Sequence, residues 1–193
     1  MRIWIKIVLA VAIGALLVLG GGALYMYSGR YNVAATAEHG GLVRWTLKTA
    51  QLQSVRTHAD EVAITVPADS AAAWNGFIAF QQMCIVCHGA PGTDRGWMGQ
   101  GMNPTPPNLS ESVEQYSSEE LYWILENGIK LAGMPALAPT HSRDEILEIV
   151  AFLKRLRDFG EEEYQVWDAR LRETQHEPEG GQPPMPDEHG HFH

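Results

Sequence analysis

Apolar and polar positions divide this chain into an N-terminal apolar run, a central region with helical periodicity and a polar C-terminal end. From Ile7 to Tyr27 no residue is charged, and a helix of that length crosses the hydrocarbon layer of a bilayer. Arg2 and Lys6 precede the run, which is typical of a helix whose N-terminus stays in the cytoplasm. The pattern predicts an uncleaved membrane anchor over residues 1–28, with a cleaved signal peptide as the alternative.

A bridging segment, residues 29–67, follows the anchor and is less clearly patterned. Apolar positions at helical spacing over residues 42–56 predict a short amphipathic helix, and residues 62–66 favour an extended stretch. We interpret Trp45 and Leu52 as packing residues of that helix. No function is assigned to this segment.

The central region, residues 68–159, begins with a predicted helix that starts at a cap, Asp69 or Ser70, and continues to Cys84. Its apolar residues recur at steps of three or four positions. Residues 91–108 are rich in glycine, proline and asparagine, which indicates a loop.

Two further amphipathic helices are predicted after that loop. The first has a capping-box sequence, Ser117 with Glu120, and ends at Gly128. The second opens at Ser142 with Glu145 three residues later, and carries a regular apolar stripe. Helices without intervening strand signals indicate an all-α domain.

The C-terminal extension, residues 160–193, is acidic and rich in proline and histidine. Between residues 158 and 193 acidic residues outnumber basic ones by eight, out of a formal net charge of −9 for the chain. This excludes the basic surface of a nucleic-acid-binding protein and favours a basic partner. We expect the helix before it to continue into the extension and the end to be disordered. Its weak candidate ligands for a divalent metal are His176, His189, His191 and His193.

The strongest chemical signal is the pentapeptide that contains Cys84, Cys87 and His88, because C-x-x-C-H is the arrangement that attaches a c-type haem. The chain has no other cysteine. A zinc site completed by two histidines and a thioredoxin-like pair are the alternatives, but a second cysteine pair and a strand–helix alternation are missing. We expect the carbonyl of Pro106 or Pro107 to accept a hydrogen bond from Nδ1 of His88.

A haem iron that transfers electrons needs a second axial ligand, and Met134 is the candidate. Gly133 allows close approach of the backbone to a flat cofactor, and Pro135 fixes the direction of the chain. A thioether favours ferrous iron and raises the reduction potential. Other methionines lie close to the attachment motif in sequence, which makes the opposite haem face harder to reach: Met83, Met98 and Met102.

This order of elements resembles the class I c-type cytochromes, specifically the membrane-anchored monohaem members of bacterial respiratory chains. The likeness spans residues 67–158 and is carried by residues 84–89 (CIVCHG) and 133–135 (GMP). It implies a small helical domain around one covalent haem c, preceded by a single N-terminal transmembrane helix. In such a domain Cys84 and Cys87 form the thioethers.

The resemblance also implies that His88 and Met134 are the proximal and distal iron ligands. It further implies that Gly76 and Phe80, on the first helix of the domain, face Phe152 on the last. The bridging segment and the C-terminal extension lie outside the shared core, so the family implies no role for them.

The function expected from these features is one-electron transfer by a carrier that is not itself an enzyme and has no small-molecule substrate. It would be anchored to the bacterial cytoplasmic (inner) membrane by a single span, with the haem domain on the periplasmic side. Its partners would be redox proteins: a quinol-oxidising complex, a periplasmic dehydrogenase or a terminal oxidase. The alternatives are a haem peroxidase or gas sensor with an open sixth iron position, and a metal chaperone that uses the histidine-rich tail.

Overall fold

The computed structural model describes residues 2–156 and 158–176, and within these ranges the chain is helical, with two isolated β-bridges and no strand. The all-α prediction is confirmed. The described chain falls into two compact units, residues 1–44 and the part that begins at Trp45. The helices are α1 Arg2–Tyr27, α2 Gly41–Ala59, α3 Ser70–Ala79, α4 Ile85–His88, α5 Trp97–Gln100, α6 Leu109–Ser112, α7 Ser118–Asn127, α8 Arg143–Leu156 and α9 Glu161–His176, with a π-helical segment Phe80–Cys84 and a 3₁₀ turn Val113–Gln115.

The first unit is dominated by α1, an apolar helix long enough to cross a membrane. None of its residues is buried, so its apolar side chains are exposed. A bilayer would cover them, as would the translocation machinery that handles a signal sequence. Beyond α1, the ring of Tyr31 packs edge-on against Tyr25, with ring centroids 6.4 Å apart.

The core of the second unit is the contact between α3 and α8. Phe77, Phe80 and Phe152 are completely buried, and the rings of Phe80 and Phe152 lie 5.1 Å apart. Gly76 lies against the backbone of Glu148, where a Cβ would overlap the carbonyl oxygen. The predicted packing of Gly76 and Phe80 on Phe152 is confirmed.

Local capping signals set where the helices begin. The side chain of Asp69 accepts a hydrogen bond from the backbone nitrogen of Ala72, at 2.8 Å. Ser117 and Glu120 form the predicted capping box at the start of α7. At α8 the backbone nitrogen of Ser142 donates to Glu145, at 2.7 Å. Each of these bonds satisfies a backbone or hydroxyl donor that the helix itself leaves unpaired.

In the bridging segment, the helix is longer than the sequence predicted, and its packing differs from the prediction. Helix α2 has 19 residues, and it buries Val55 and Ala59 near its C-terminal end. Trp45 is 64% exposed and Leu52 is partly buried, so of these two residues Leu52 packs within the described protein and Trp45 does not. The extended stretch after α2 packs against the core through partly buried Val62 and Ile64, without forming a strand.

The acidic extension contributes to the core of the second unit, because α9 is a separate helix that folds back and not a continuation of α8. Its Tyr164 and Leu171 are buried, and the ring of Trp167 lies edge-on to Phe77 at 5.4 Å between centroids. Arg170 stacks over Trp74 at 4.4 Å. The expected disordered end and the side chains of the four tail histidines lie outside the described residues.

Candidate haem site

The attachment motif lies at the end of a helix that changes its winding just before the first cysteine. Helix α3 passes into the π-helical segment Phe80–Cys84, in which the backbone nitrogen of Ile85 donates to the carbonyl of Phe80. Helix α4 follows and places Cys87 and His88 one turn later. A π-helical turn changes the angular position of every residue after it and occurs often at functional sites. The sequence carried no signal for this segment.

The π-helical segment is fixed from outside by α9. The hydroxyl of Tyr164 donates to Oε1 of Gln81 at 3.0 Å, and Nε2 of Gln81 donates to Asp168 at 2.9 Å. Arg172 pairs with the same carboxylate at 2.8 Å. Gln81 lies three residues before Cys84, so α9 supports the backbone that presents the first thiol.

The two thiols are unpaired and partly buried. Burial, and to a smaller extent the nearby Cys87, raise the pKa of Cys84 to about 12. Cys84 is therefore a neutral thiol at physiological pH. Structural zinc is bound by thiolates, and the described residues contain no group of three or more His, Cys, Asp or Glu side chains placed to hold a metal ion. Two cysteines without further metal ligands placed around them in the described residues fit covalent attachment to a porphyrin better than a zinc site.

His88 is oriented by the backbone of a distant loop. Its Nδ1 lies 2.9 Å from the carbonyl oxygen of Pro107, and because a carbonyl only accepts, Nδ1 carries the hydrogen. The predicted hydrogen bond to the proline loop is confirmed. Burial lowers the pKa of His88, the bond to Pro107 opposes this, and the charge of Arg95 lowers the pKa further. The neutral ring leaves the Nε2 lone pair free to bind a metal.

The predicted loop over residues 91–108 contains the short helix α5, which packs directly on the attachment turn. A Cβ at Gly96 would overlap the carbonyl oxygen of Val86, and one at Gly99 would overlap that of Cys87. Arg95 donates from Nε to the carbonyl of Pro106, at 2.6 Å. These close contacts were missed from the sequence, although the glycines that permit them were visible.

Met134 lies on a tight turn between α7 and α8. The backbone nitrogen of Ile129 donates to the carbonyl of Met134 at 3.0 Å, which closes the turn as an isolated β-bridge. Leu131 has φ +62° and Gly133 has φ +73°. A Cβ on Gly128 would lie 2.6 Å from the Met134 carbonyl oxygen, so glycine is required there by space as well as by conformation.

The side chain of Met134 is partly buried and packs against the hydrophobic core cluster that Cys84 also contacts. Cys84, Cys87 and His88 lie within one segment of five residues, and Met134 borders the same apolar core from a different turn. Met83 packs against that cluster too, whereas Met98 is 42% exposed. The methyl group of Met102 lies against Gly133, next to Met134.

These residues fit covalently bound haem c. Cys84 is a neutral thiol, the imidazole of His88 presents one free nitrogen, and the Met134 thioether borders the same apolar core. Haem iron takes histidine and methionine as axial ligands in cytochromes c.

Comparison with known proteins agrees with this assignment. Residues 71–153 match the family described as cytochrome C oxidase, cbb3-type, subunit III. The match includes the attachment motif and Met134, and excludes α1, α2 and α9. No curated protein matches the chain. The helical fold, the C-x-x-C-H motif and this family match together support a class I c-type cytochrome domain over residues 71–153, a domain type that implies covalently bound haem c and haem-based electron transfer.

Proposed function

We propose that this protein is a one-haem electron carrier, tethered to the outer face of a bacterial cytoplasmic membrane. Cys84 and Cys87 hold the porphyrin through thioether bonds, and His88 and Met134 are the axial ligands of the iron. The bound haem supplies a reversible one-electron change between ferric and ferrous iron. The protein itself binds, orients and partly buries this group.

The observation that carries the proposal is the arrangement of His88. The ring is fixed by the Pro107 carbonyl at 2.9 Å, and His88 directly follows Cys87 in α4, one turn after Cys84. A partner that accepts the Nδ1 hydrogen sets the tautomer and increases the basicity of a metal-binding imidazole. The acceptor for the His88 ring is a backbone carbonyl, so the bond does not depend on the rotamer of a partner side chain.

Met134 completes the ligand set on the distal side. Its turn is closed by the Ile129 bridge and anchored by Gly128, so the thioether lies at a defined place on the border of the core. A soft sulfur ligand favours ferrous iron and raises the reduction potential. This suits a carrier that accepts electrons from a quinol-oxidising complex or a periplasmic dehydrogenase.

The membrane location is supported by α1, whose apolar residues are all exposed, and by Arg2 and Lys6 at its N-terminal end. The positive residues keep that end in the cytoplasm and place the haem domain in the periplasm. The matched family is described as subunit III of a cbb3-type cytochrome c oxidase, which favours a respiratory partner. That partner would either accept electrons from this protein or be a larger complex of which this chain is a subunit. The acidic C-terminal residues favour a basic docking surface.

The test is spectroscopic and uses the full chain, produced with a cytochrome c maturation system. We expect low-spin iron, with the near-infrared band of a thioether-to-iron bond in the ferric protein and no rapid uptake of CO in the ferrous protein. Met134→Ala should abolish that band, lower the potential and open the iron to CO, whereas the matched control Met98→Ala should change none of these. Cys87→Ala should impair covalent attachment.

High-spin iron and rapid CO uptake in the unaltered protein would contradict the carrier proposal and favour a peroxidase or gas sensor. A thioether band that survives Met134→Ala would contradict the axial assignment alone. The partner proposal is tested separately, by purifying the native membrane complex and identifying its other subunits. Recovery of the chain free of any respiratory protein would contradict it.

A further inference from the structure

We propose that Met102 is a positioning residue that holds the Gly133–Met134 turn closed and thereby sets how readily an added ligand replaces Met134 at the iron. The inference rests on the proposed axial role of Met134. From the sequence, Met102 was considered only as an alternative iron ligand to Met134, and this proposal gives it a different function.

The first observation is the contact between Met102 and Gly133. Among the described residues other than its chain neighbours, the atom found within 4 Å of a Cβ added at Gly133 is Cε of Met102. Gly133 has φ +73°, a conformation that side chains other than glycine rarely adopt. The Met102 methyl group therefore occupies space that the glycine leaves open, immediately before Met134.

The second observation is that the backbone of Met102 is fixed to the attachment side of the site. The backbone nitrogen of Met102 donates to the carbonyl of Gly99 at 3.3 Å. Gly99 packs so closely on Cys87 that a Cβ would overlap its carbonyl oxygen. The backbone of Met102 is thus linked to the turn that carries the cysteines. Its side chain contacts the turn that carries Met134.

The third observation is that the tip of the Met134 turn is exposed and held by backbone hydrogen bonds, from Ile129 to Met134 and from Ala132 to Ile129. Leu131 is 76% exposed and has φ +62°, which costs energy for a side chain other than glycine. Lys130 and Gly133 are exposed as well. A segment with few buried apolar contacts opens locally at low cost, so one apolar contact at the base of the turn has a large effect on the population of the open form.

The experiment measures opening of the turn by the entry of imidazole into the ferric, full-length protein in detergent micelles. Loss of the near-infrared thioether band reports replacement of Met134, and at saturating imidazole the rate is limited by opening. Met102→Ala should keep the band in the absence of imidazole and increase the limiting rate roughly tenfold, as expected for loss of a partly buried apolar contact. Met102→Leu keeps apolar bulk without sulfur and should restore a rate near that of the unaltered protein.

Met98→Ala is the matched control, because it removes the same side chain from the same loop at an exposed position, and its limiting rate should not change. Met102→Gln keeps the length of the side chain and loses its apolar end. It should also accelerate imidazole entry, and it provides a second measurement if the alanine variant does not mature.

Unchanged limiting rates in both Met102→Ala and Met102→Gln would overturn the inference. Loss of the band in Met102→Leu without imidazole would also overturn it, since Met102 would then be a ligand itself. Absence of the band from the unaltered protein would instead contradict the axial assignment in the proposed function.

Discussion

His88 donates a hydrogen bond from Nδ1 to the backbone carbonyl of Pro107, 19 residues further along the chain, at 2.9 Å. No side-chain substitution at Pro107 removes this acceptor, because it belongs to the backbone. The same loop is held by Arg95, which donates to the neighbouring carbonyl of Pro106 at 2.6 Å. The orientation of the proximal imidazole is therefore a property of the folded loop as a whole.

Gly76→Ala should destabilise the domain strongly. A Cβ at this position would overlap the carbonyl oxygen of Glu148 and lie 2.9 Å from the Cβ of Phe152, so α3 and α8 would have to separate. We expect a loss of about 3 kcal/mol in the free energy of unfolding, measured by denaturant titration of the haem absorption. Gly160→Ala is the control, since nothing lies within 4 Å of its added Cβ. Equal stabilities for the two variants would contradict the packing described here.

Tyr164→Phe should weaken the support of the π-helical segment. The substitution removes the hydroxyl that donates to Oε1 of Gln81 at 3.0 Å, and leaves that partly buried oxygen without this donor. A loss of about 1 kcal/mol in the free energy of unfolding is expected, with covalent haem content unchanged. Tyr27→Phe provides the comparison, because its ring is 93% exposed. A Tyr164→Phe protein as stable as the Tyr27→Phe protein would show that the bond to Gln81 contributes nothing.

Leu131→Asn should stabilise the Met134 turn. Leu131 has φ +62° and an exposed side chain, so the leucine has backbone strain without compensating burial. Asparagine tolerates this conformation, and a gain of about 0.5–1 kcal/mol is expected. Imidazole entry at saturation should slow correspondingly. Lys130→Asn, made one residue earlier in the same turn, controls for the new side chain. Faster entry in Leu131→Asn would mean that the leucine side chain itself holds the turn.

Features encoded by neighbouring residues were predicted from the sequence. The caps at Asp69, Ser117 and Ser142 each depend on a partner three residues away, and the carbonyl acceptor for His88 followed from a proline pair after the attachment motif. The packing of Gly76 and Phe80 on Phe152 followed from the family resemblance. Each of these features depends either on residues close together in the sequence or on the resemblance to class I c-type cytochromes over residues 67–158.

What the sequence did not predict depends on contacts between distant residues. The π-helical winding at Phe80–Cys84 has no compositional marker, and its partners on α9 lie more than 80 residues away. The burial of Tyr164 was not predicted, because the sequence indicated only that the preceding helix continues into the acidic extension. The exposure of Trp45 was not predicted either, since helical spacing does not tell which apolar side chains find a protein partner.

The central claim is that a haem is bonded covalently to this chain through Cys84 and Cys87. The most direct measurement is the intact mass of the matured, denatured protein after acid–acetone extraction, together with its pyridine haemochrome spectrum. We expect the mass of the chain plus one haem, and a spectrum typical of two thioether bonds. A chain with the bare polypeptide mass after correct maturation, without peroxidase stain on a denaturing gel, would contradict the account.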